Sequence, residues 1–172
     1  TTLTWYSDAA LTLVVGSGPT FATGQTTTGV YPYYVSETDI NSCQSVGTVV
    51  TLEVYPLSDA DFSATEVCFG KEVVFTNNSS PNTVDWIYNF ADGIGASDYQ
   101  NPTYIYTNPG SYNVTLNVTS DNGCEDNIIK TIIVHELPIP DFNIENHCDG
   151  EGNIFTDLSS VIHGEIALVQ YN

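Results

Sequence analysis

The stretch that decides the fold is Asn108-Pro109-Gly110-Ser111-Tyr112-Asn113-Val114-Thr115-Leu116-Asn117-Val118. Tyr112, Val114, Leu116 and Val118 alternate strictly with polar Asn and Thr residues. A period of two with β-forming residues on both faces is typical of a half-buried antiparallel strand. The Pro-Gly pair before it has the chemistry of a turn, because proline restricts φ and glycine allows positive φ.

The residues on both sides of this strand extend the β pattern over 57–136. Further apolar runs, separated by turn residues such as Asp92-Gly93, predict a complete β-sandwich with a cysteine near each end of its central stretch, Cys68 and Cys124. Its predicted strands lie at roughly 61–66, 71–77, 83–90, 95–99, 103–107, 111–120 and 125–135.

Residues 1–56 also consist of strand-like runs between turns rich in Gly and Thr, and no helical period appears in them. The predicted strands are Leu3–Tyr6, Leu11–Val15, Tyr31–Glu37 and Thr48–Tyr55. Trp5 stands at the very start, whereas the core tryptophan of an immunoglobulin-like sandwich lies on the third strand. We therefore expect a partial immunoglobulin-like sandwich without its first two strands.

The composition excludes several classes of function. The chain of 172 residues has 21 acidic and two basic residues, Lys71 and Lys130, and a net charge of −19. Nucleic acids and anionic membrane surfaces are recognised through basic side chains, so neither is expected as a partner. No apolar run is long enough to insert into a membrane. Apolar residues make up 41% of the chain, which is enough for a packed core.

An internal repeat connects the two parts of the chain after residue 57. All repeated pairs share one interval, and they are Asp61-Phe62 with Asp141-Phe142, Cys68 with Cys148, Phe75-Thr76 with Phe155-Thr156, and Ser79-Ser80 with Ser159-Ser160. A fixed period indicates similar units in series. Residues 137–172 are therefore predicted to begin a further domain of the same kind. Because methionine is absent as well, we expect an interior part of a longer exported protein.

The four cysteines include no C-x-x-C pair, which argues against a zinc site and favours disulfides in an oxidising compartment. Each repeat has one cysteine in an early loop and one in its last hairpin. This pattern predicts a Cys68–Cys124 disulfide, with the partners of Cys43 and Cys148 outside the sequence. The rival pairing, Cys43 with Cys148, needs two distant domains to touch.

Residues 57–136 resemble a PKD domain, the β-sandwich repeat named after polycystic kidney disease. Asn89–Gly93 corresponds to the Asp-Phe-Gly-Asp-Gly turn of that family. Pro102–Tyr106 corresponds to its Pro-x-His-x-Tyr segment, with Tyr104 at the usual histidine, and Pro109–Val118 matches its Pro-Gly-x-Tyr motif fully. Repeats with both cysteines resemble those of large surface adhesins of gliding bacteria that use type IX secretion.

The resemblance implies roles for a few side chains. Some PKD domains bind calcium near the acidic turn, so Asp92 and Asn89 are candidate calcium ligands, although Asn89 replaces an aspartate. Tyr112 has the layout of a tyrosine corner, and Trp86 is the predicted core aromatic residue, packed against the disulfide. No combination of Ser, His, Cys or acidic residues forms a recognisable catalytic motif, so no enzymatic activity is predicted.

These observations predict an all-β chain of tandem immunoglobulin-like and PKD sandwiches, one complete and two partial. The expected function is that of a disulfide-locked stalk or filament in a secreted cell-surface adhesin, with neighbouring repeats, surface glycans or surface proteins as partners. The alternative is a carbohydrate-binding accessory module of a secreted hydrolase. A third hypothesis, ranked last, is fibre formation by strand addition between the incomplete end domains.

Overall fold

The computed structural model describes residues 1–145, 152, 154–161 and 165. The fold is all-β, and the described residues contain fourteen strands and no helix. These residues therefore contain no helix that could cross a membrane. The chain divides into two compact units, Thr1–Leu57 and Ser58–Asn172.

The first unit is one antiparallel sheet of four strands in the order β2-β1-β3-β4. Its strands are β1 Thr2–Tyr6, β2 Val14–Ser17, β3 Gly29–Thr38 and β4 Thr48–Val54. Phe21, in the loop between β2 and β3, stacks on Trp5 at 5.9 Å between ring centroids. It also contacts Tyr33 edge to face at 5.6 Å, so this loop covers part of one face of the sheet.

The second strand of this unit begins later than predicted, at Val14 rather than Leu11. The Asp8 carboxylate accepts hydrogen bonds from the backbone N–H groups of Thr12 (3.0 Å) and Leu13 (2.6 Å). Leu11 has a φ of 57° in the resulting turn. Side-chain acceptors of this kind compete with strand pairing, which explains the difference.

Within its described residues, the second unit contains two sheets and one short antiparallel pair. The three-stranded sheet has the order β10-β7-β5, and the five-stranded sheet has the order β6-β12-β11-β8-β9, in which only β6 runs parallel to its neighbour β12. The strands are β5 Phe62–Ala64, β6 Val67–Cys68, β7 Val73–Asn77, β8 Thr83–Asn89, β9 Ala96–Ser97, β10 Thr103–Tyr104, β11 Gly110–Ser120, β12 Glu125–His135, β13 Phe142–Glu145 and β14 Ile154–Asp157.

Alternating residues of the two sheets form a single core between them. The predicted inward face of β11 is confirmed, because Val114, Leu116 and Val118 are buried and Tyr112 packs against them. Aromatic rings from both sheets meet at the centre, and the most deeply buried of them are Tyr88, Tyr106, Phe62, Phe75 and Phe90. The central aromatic residue of β8 is thus Tyr88, while Trp86 is half-buried beside the core and pairs with Val118.

Candidate functional site

The turn after β8 contains both candidate calcium ligands. The Asn89 side-chain oxygen accepts a hydrogen bond from the backbone N–H of Ala91 at 2.9 Å. Ala91 and Gly93 both have positive φ, at 63° and 91°. Glycine tolerates this conformation and alanine does not favour it, so the Asn89 bond helps to hold a strained turn.

Asp92 occupies the centre of the turn. One carboxylate oxygen accepts from the backbone N–H groups of Ile94 (3.1 Å) and Gly95 (2.7 Å). The other oxygen accepts a short hydrogen bond from the Tyr104 hydroxyl. The Tyr104 bond is the main reason why the pKa of Asp92 lies below its ordinary value of 3.8; partial burial opposes this effect and the two backbone bonds support it. The same bond, together with burial, raises the pKa of Tyr104 to about 12.

Tyr104 is packed between two aromatic rings, and its hydroxyl lies close to Gly95. Its ring stacks on Phe90 with centroids 4.1 Å apart and meets Tyr106 edge to face at 5.0 Å. A Cβ atom on Gly95 would lie 2.3 Å from the Tyr104 hydroxyl oxygen. The tyrosine that replaces the histidine of the family motif therefore bonds directly to the Asp92 carboxylate.

These contacts do not suit a calcium ion at this turn. Calcium takes six to eight oxygen ligands, usually from several carboxylates. Asp92 and Asn89 do come together in one turn, but the oxygens that would bind the ion already accept bonds from the chain itself. Among the described residues no group of three or more His, Cys, Asp or Glu side chains is placed to hold a metal ion. We therefore assign both side chains to turn formation.

Tyr112 has the geometry of a tyrosine corner. Its hydroxyl donates to the carbonyl oxygen of Asn108, four residues earlier, at 2.7 Å. Its ring stacks on Tyr106 with centroids 3.9 Å apart, and the Tyr106 hydroxyl donates to the Phe90 carbonyl at 3.1 Å. Burial raises the pKa of both phenols above the ordinary value of 10.0. These tyrosines tie the start of β11 to the turn after β8.

The predicted Cys68–Cys124 disulfide is wrong for this fold. Cys43, Cys68 and Cys124 are free thiols, and Cys148 lies outside the described residues. Cys68 pairs with His135 at the last residue of β12, whereas Cys124 directly precedes the first residue of that strand, Glu125. The length of this strand separates the two positions by about 36 Å. Cα atoms joined by a disulfide are less than about 7 Å apart, so one unit cannot close this bond.

Sequence reasoning missed a lysine that points into the sandwich. Lys130 lies opposite Val114 on the inward face of β12. Its ammonium group donates to the Asp61 carboxylate and to the Phe62 carbonyl, both at 2.6 Å, and lies 5.5 Å from the centre of the Phe62 ring. Lys130 thus joins the start of the sandwich to its last strand. The signal was available, because Lys130 interrupts an alternating apolar series, Ile128, Ile132 and Val134.

The geometry defines a class of protein. Two sheets that pack face to face around an aromatic core, with a tyrosine corner at the start of β11, form an immunoglobulin-like β-sandwich.

Comparison with known families specifies the class further. Residues 53–134 match the model of the PKD domain. The crystal structure of the PKD1 domain of the Vibrio cholerae metalloprotease PrtV is 35% identical, and the match covers 46% of this chain and 98% of that domain with a TM-score of 0.42. The PKD1 domain of Vibrio anguillarum Epp is 27% identical, with 46% and 94% covered and a TM-score of 0.42. The chain belongs to the PKD domain family through these residues.

The similarity to full-length proteins is local. The pre-pro-metalloprotease PrtV of two Vibrio cholerae strains is 40% identical over 68 residues. That match covers 38% of this chain and only 7% of the protease. The relationship therefore concerns one domain.

Proposed function

We propose that this chain is a non-catalytic segment of serial β-sandwich units in a secreted cell-surface protein, where it acts as a structural spacer. The observation that carries the proposal is the recurrence of the same local structure at a fixed interval along the chain. Units that recur in series produce extension and spacing without requiring a site in any one unit.

The recurrence after residue 57 extends to individual hydrogen bonds. Phe62 pairs with Asn77, and one repeat interval later Phe142 pairs with Asp157. The Ser79 hydroxyl accepts from the Asp61 N–H at 3.1 Å, and the Ser159 hydroxyl accepts from the Asp141 N–H at the same distance. The repeated residues are therefore accompanied by the same strand register and the same side-chain bonds.

The first unit repeats two hydrogen bonds of the PKD domain. In both cases the corresponding residues of the two units are separated by the same number of residues along the chain. The Tyr31 hydroxyl donates to the Thr27 carbonyl at 2.9 Å, as Tyr112 does to Asn108. In its last hairpin the Asp39 N–H donates to the Cys43 carbonyl at 3.1 Å, as Ser120 does to Cys124 at 2.8 Å. The immunoglobulin-like part and the PKD domain thus share a tyrosine corner and a last hairpin, which supports a series of related sandwiches.

The net charge suits a chain of serial units that must not aggregate. A net charge of −19 on 172 residues keeps the protein soluble and repels other acidic chains. Neighbouring repeats of the same chain are the partners that this arrangement provides directly. Surface glycans and other surface proteins are proposed partners of the whole parent adhesin. A role of that adhesin in a filament of gliding bacteria is part of the same proposal.

A second candidate, an accessory region of a secreted hydrolase, is favoured by one specific observation, which is the match to the metalloprotease PrtV. Its carbohydrate-binding version receives less support from the structure. Sugar-binding faces usually present aromatic side chains, but the outward positions of β8, β11 and β12 carry Thr, Asn, Ile and acidic residues. We therefore rank the spacer first.

The test is replacement of residues 58–137 in the parent protein by an unrelated β-sandwich of similar length. A spacer requires only length and rigidity, so surface display and adhesion should persist after replacement, while deletion of the unit should reduce adhesion. Loss of adhesion with both the replacement and the deletion would assign a binding role to the unit. A change in hydrolytic activity of the parent toward a macromolecular substrate would support the accessory module instead.

A further inference from the structure

The two cysteines of the PKD domain lie at opposite ends of the sandwich. We call the end near Ser58 and Cys124 the leading end, because the chain enters the domain there. The Ser58 hydroxyl donates to the Cys124 carbonyl at 2.8 Å, and the Ala60 N–H donates to the Asp126 carboxylate at 2.8 Å. Cys124 is therefore held beside the residue with which the domain begins.

Cys68 lies at the other end, which we call the trailing end because the chain leaves the domain there. Val67 and Cys68 pair in parallel with Val134 and His135, the last two residues of β12. The Phe69 N–H donates to the His135 carbonyl at 2.8 Å. The Cys68 residue is exposed and its thiol is free.

The repeat places a leading end directly after this trailing end. The Ser80 N–H donates to the Asp59 carbonyl at 2.9 Å, and the Ser160 N–H donates to the Ile139 carbonyl at 2.9 Å. Ile139 is thus the counterpart of Asp59, and Pro138 is the counterpart of Ser58. The chain needs only three peptide steps from His135, beside Cys68, to Pro138, and these steps span at most about 11 Å.

The cysteine of the last hairpin is positioned alike in the two units where the structure describes that hairpin. The Cys124 N–H donates to the Ser120 hydroxyl at 3.0 Å, and the Cys43 N–H donates to the Asp39 carboxylate at 2.8 Å. Ser42 and Gly123, which precede these cysteines, both have positive φ, at 66° and 76°. A cysteine held in the last hairpin is therefore a recurrent feature of these units.

We propose that the cysteines cross-link consecutive repeats, with the Cys68-type thiol of one repeat bonded to the Cys124-type thiol of the next. This inference rests on the serial arrangement proposed above. It accounts for the free state of Cys68 and Cys124 within one unit, since each has its partner in a different repeat. In the reaction the two thiols lose two protons and two electrons, one S–S bond forms, and the electrons reduce a small-molecule disulfide such as oxidised glutathione to two thiols.

Such bonds act at the junctions of a spacer. A link across each junction closes a loop through the short connector and restricts bending between neighbouring units. Among the described residues, the core cluster of the sandwich lies between Ala60 and Val134, within a single repeat.

The experiment uses a tandem duplicate of residues 58–137, which preserves the natural repeat interval. The protein is oxidised with a glutathione redox buffer, free thiols are alkylated, and trypsin cleaves after Lys71 and Lys130. Cys68 and Cys124 then lie in different peptides. The Cys68 peptide of the second copy is also heavier, because it remains joined to residues 131–137 of the first copy.

We expect one disulfide, between Cys68 of the first copy and Cys124 of the second. Cys68→Ser in the first copy and Cys124→Ser in the second should each abolish it, whereas the same substitutions in the other copy should leave it intact. A bond within one copy, equal effects of a substitution in both copies, or a duplicate that stays fully reduced would overturn the proposal. A fully reduced duplicate would leave the spacer function standing, because that function is tested by replacement in the parent protein.

Discussion

Substitution of Asp92 by Asn tests whether this carboxylate holds the turn after β8 rather than a cation. The carboxylate accepts bonds from the Ile94 and Gly95 N–H groups and from the Tyr104 hydroxyl. Asparagine keeps one oxygen for the two backbone groups but places an amide nitrogen opposite Tyr104. The substitution therefore removes the negative charge from three hydrogen bonds and forces the Tyr104 hydroxyl to change from donor to acceptor.

The magnitude follows from the strength of these bonds. Hydrogen bonds to charged groups contribute about 1.5–3 kcal/mol and neutral ones about 0.5–1.5 kcal/mol. Because Asp92 is partly exposed, solvent reduces the difference, and we expect a total loss of about 1–2 kcal/mol from the free energy of unfolding. For a domain of this size the melting temperature should fall by roughly 4–15 °C.

Calorimetry of the whole chain provides the measurement, with Asp98→Asn as a matched control. Asp98 is exposed and forms no hydrogen bond with the described residues, so its substitution removes the same charge at little cost, below about 0.5 kcal/mol. Calcium should change the melting temperature of the wild type and of Asp92→Asn equally. Equal losses in the two variants, or a calcium stabilisation that only the wild type shows, would refute the assignment.

The pH dependence supplies an independent check. The folded-state pKa of Asp92 lies below the ordinary value of 3.8, so its stabilisation is complete above that pH and is lost as the pH falls through the folded-state pKa. The difference in stability between the wild type and Asp92→Asn should therefore be constant near neutral pH and shrink in strong acid. A difference that persists unchanged in acid would contradict the role of the charge.

Three further predictions concern the aromatic residues of the core. Tyr112→Phe should lower the stability of the PKD domain by about 0.5–1.5 kcal/mol in urea unfolding, because it removes the bond to Asn108; Tyr31→Phe should leave that transition unchanged, since Tyr31 lies in the other unit. Gly95→Ala should cost about 1–3 kcal/mol in the same assay because the new Cβ displaces the Tyr104 hydroxyl, and an unchanged midpoint would show that the ring moves freely. Burial raises the pKa of Tyr88 to about 12, and the hydrogen bond to Asp92 raises the pKa of Tyr104 to about 12. The neutral phenols therefore stabilise the fold below pH 10, and this stability is lost as the pH rises toward 12. The last part of the rise in phenolate absorbance should then coincide with the loss of the circular dichroism signal, whereas complete phenolate formation in a fully folded protein would contradict the shifts.

Local patterns were sufficient for the strands with the clearest alternation. The inward face of β11 and the tyrosine corner at Tyr112 agree with the sequence prediction, because both depend on spacing within a few residues. The short edge strands were predicted too long, since β9 contains only Ala96 and Ser97 and β10 only Thr103 and Tyr104. The Gly95 N–H donates to the Asp92 carboxylate and not to β8, so β9 begins only after it, at Ala96.

The bonding partners of Asp92 and Lys130 were not predictable in the same way. Tyr104 was recognised only as a departure from the histidine of the family motif, and nothing in its neighbours indicated that its hydroxyl reaches Asp92. Lys130 meets Asp61 across 69 residues of chain. With 38% and 42% of these side chains exposed, the ion pair adds less than about 1 kcal/mol to the stability of the domain.

By itself the sequence determined the β class, the repeat interval and the position of the cysteines within each repeat, because alternation and recurrence are properties of the chain in order. The tertiary structure decided which cysteines can meet. The parallel pairing of β6 with the end of β12 places Cys68 at the trailing end, and the β11–β12 hairpin places Cys124 at the leading end. Strand direction and pairing are set by contacts distant in sequence, so only the folded sandwich separates two thiols that one repeat contains.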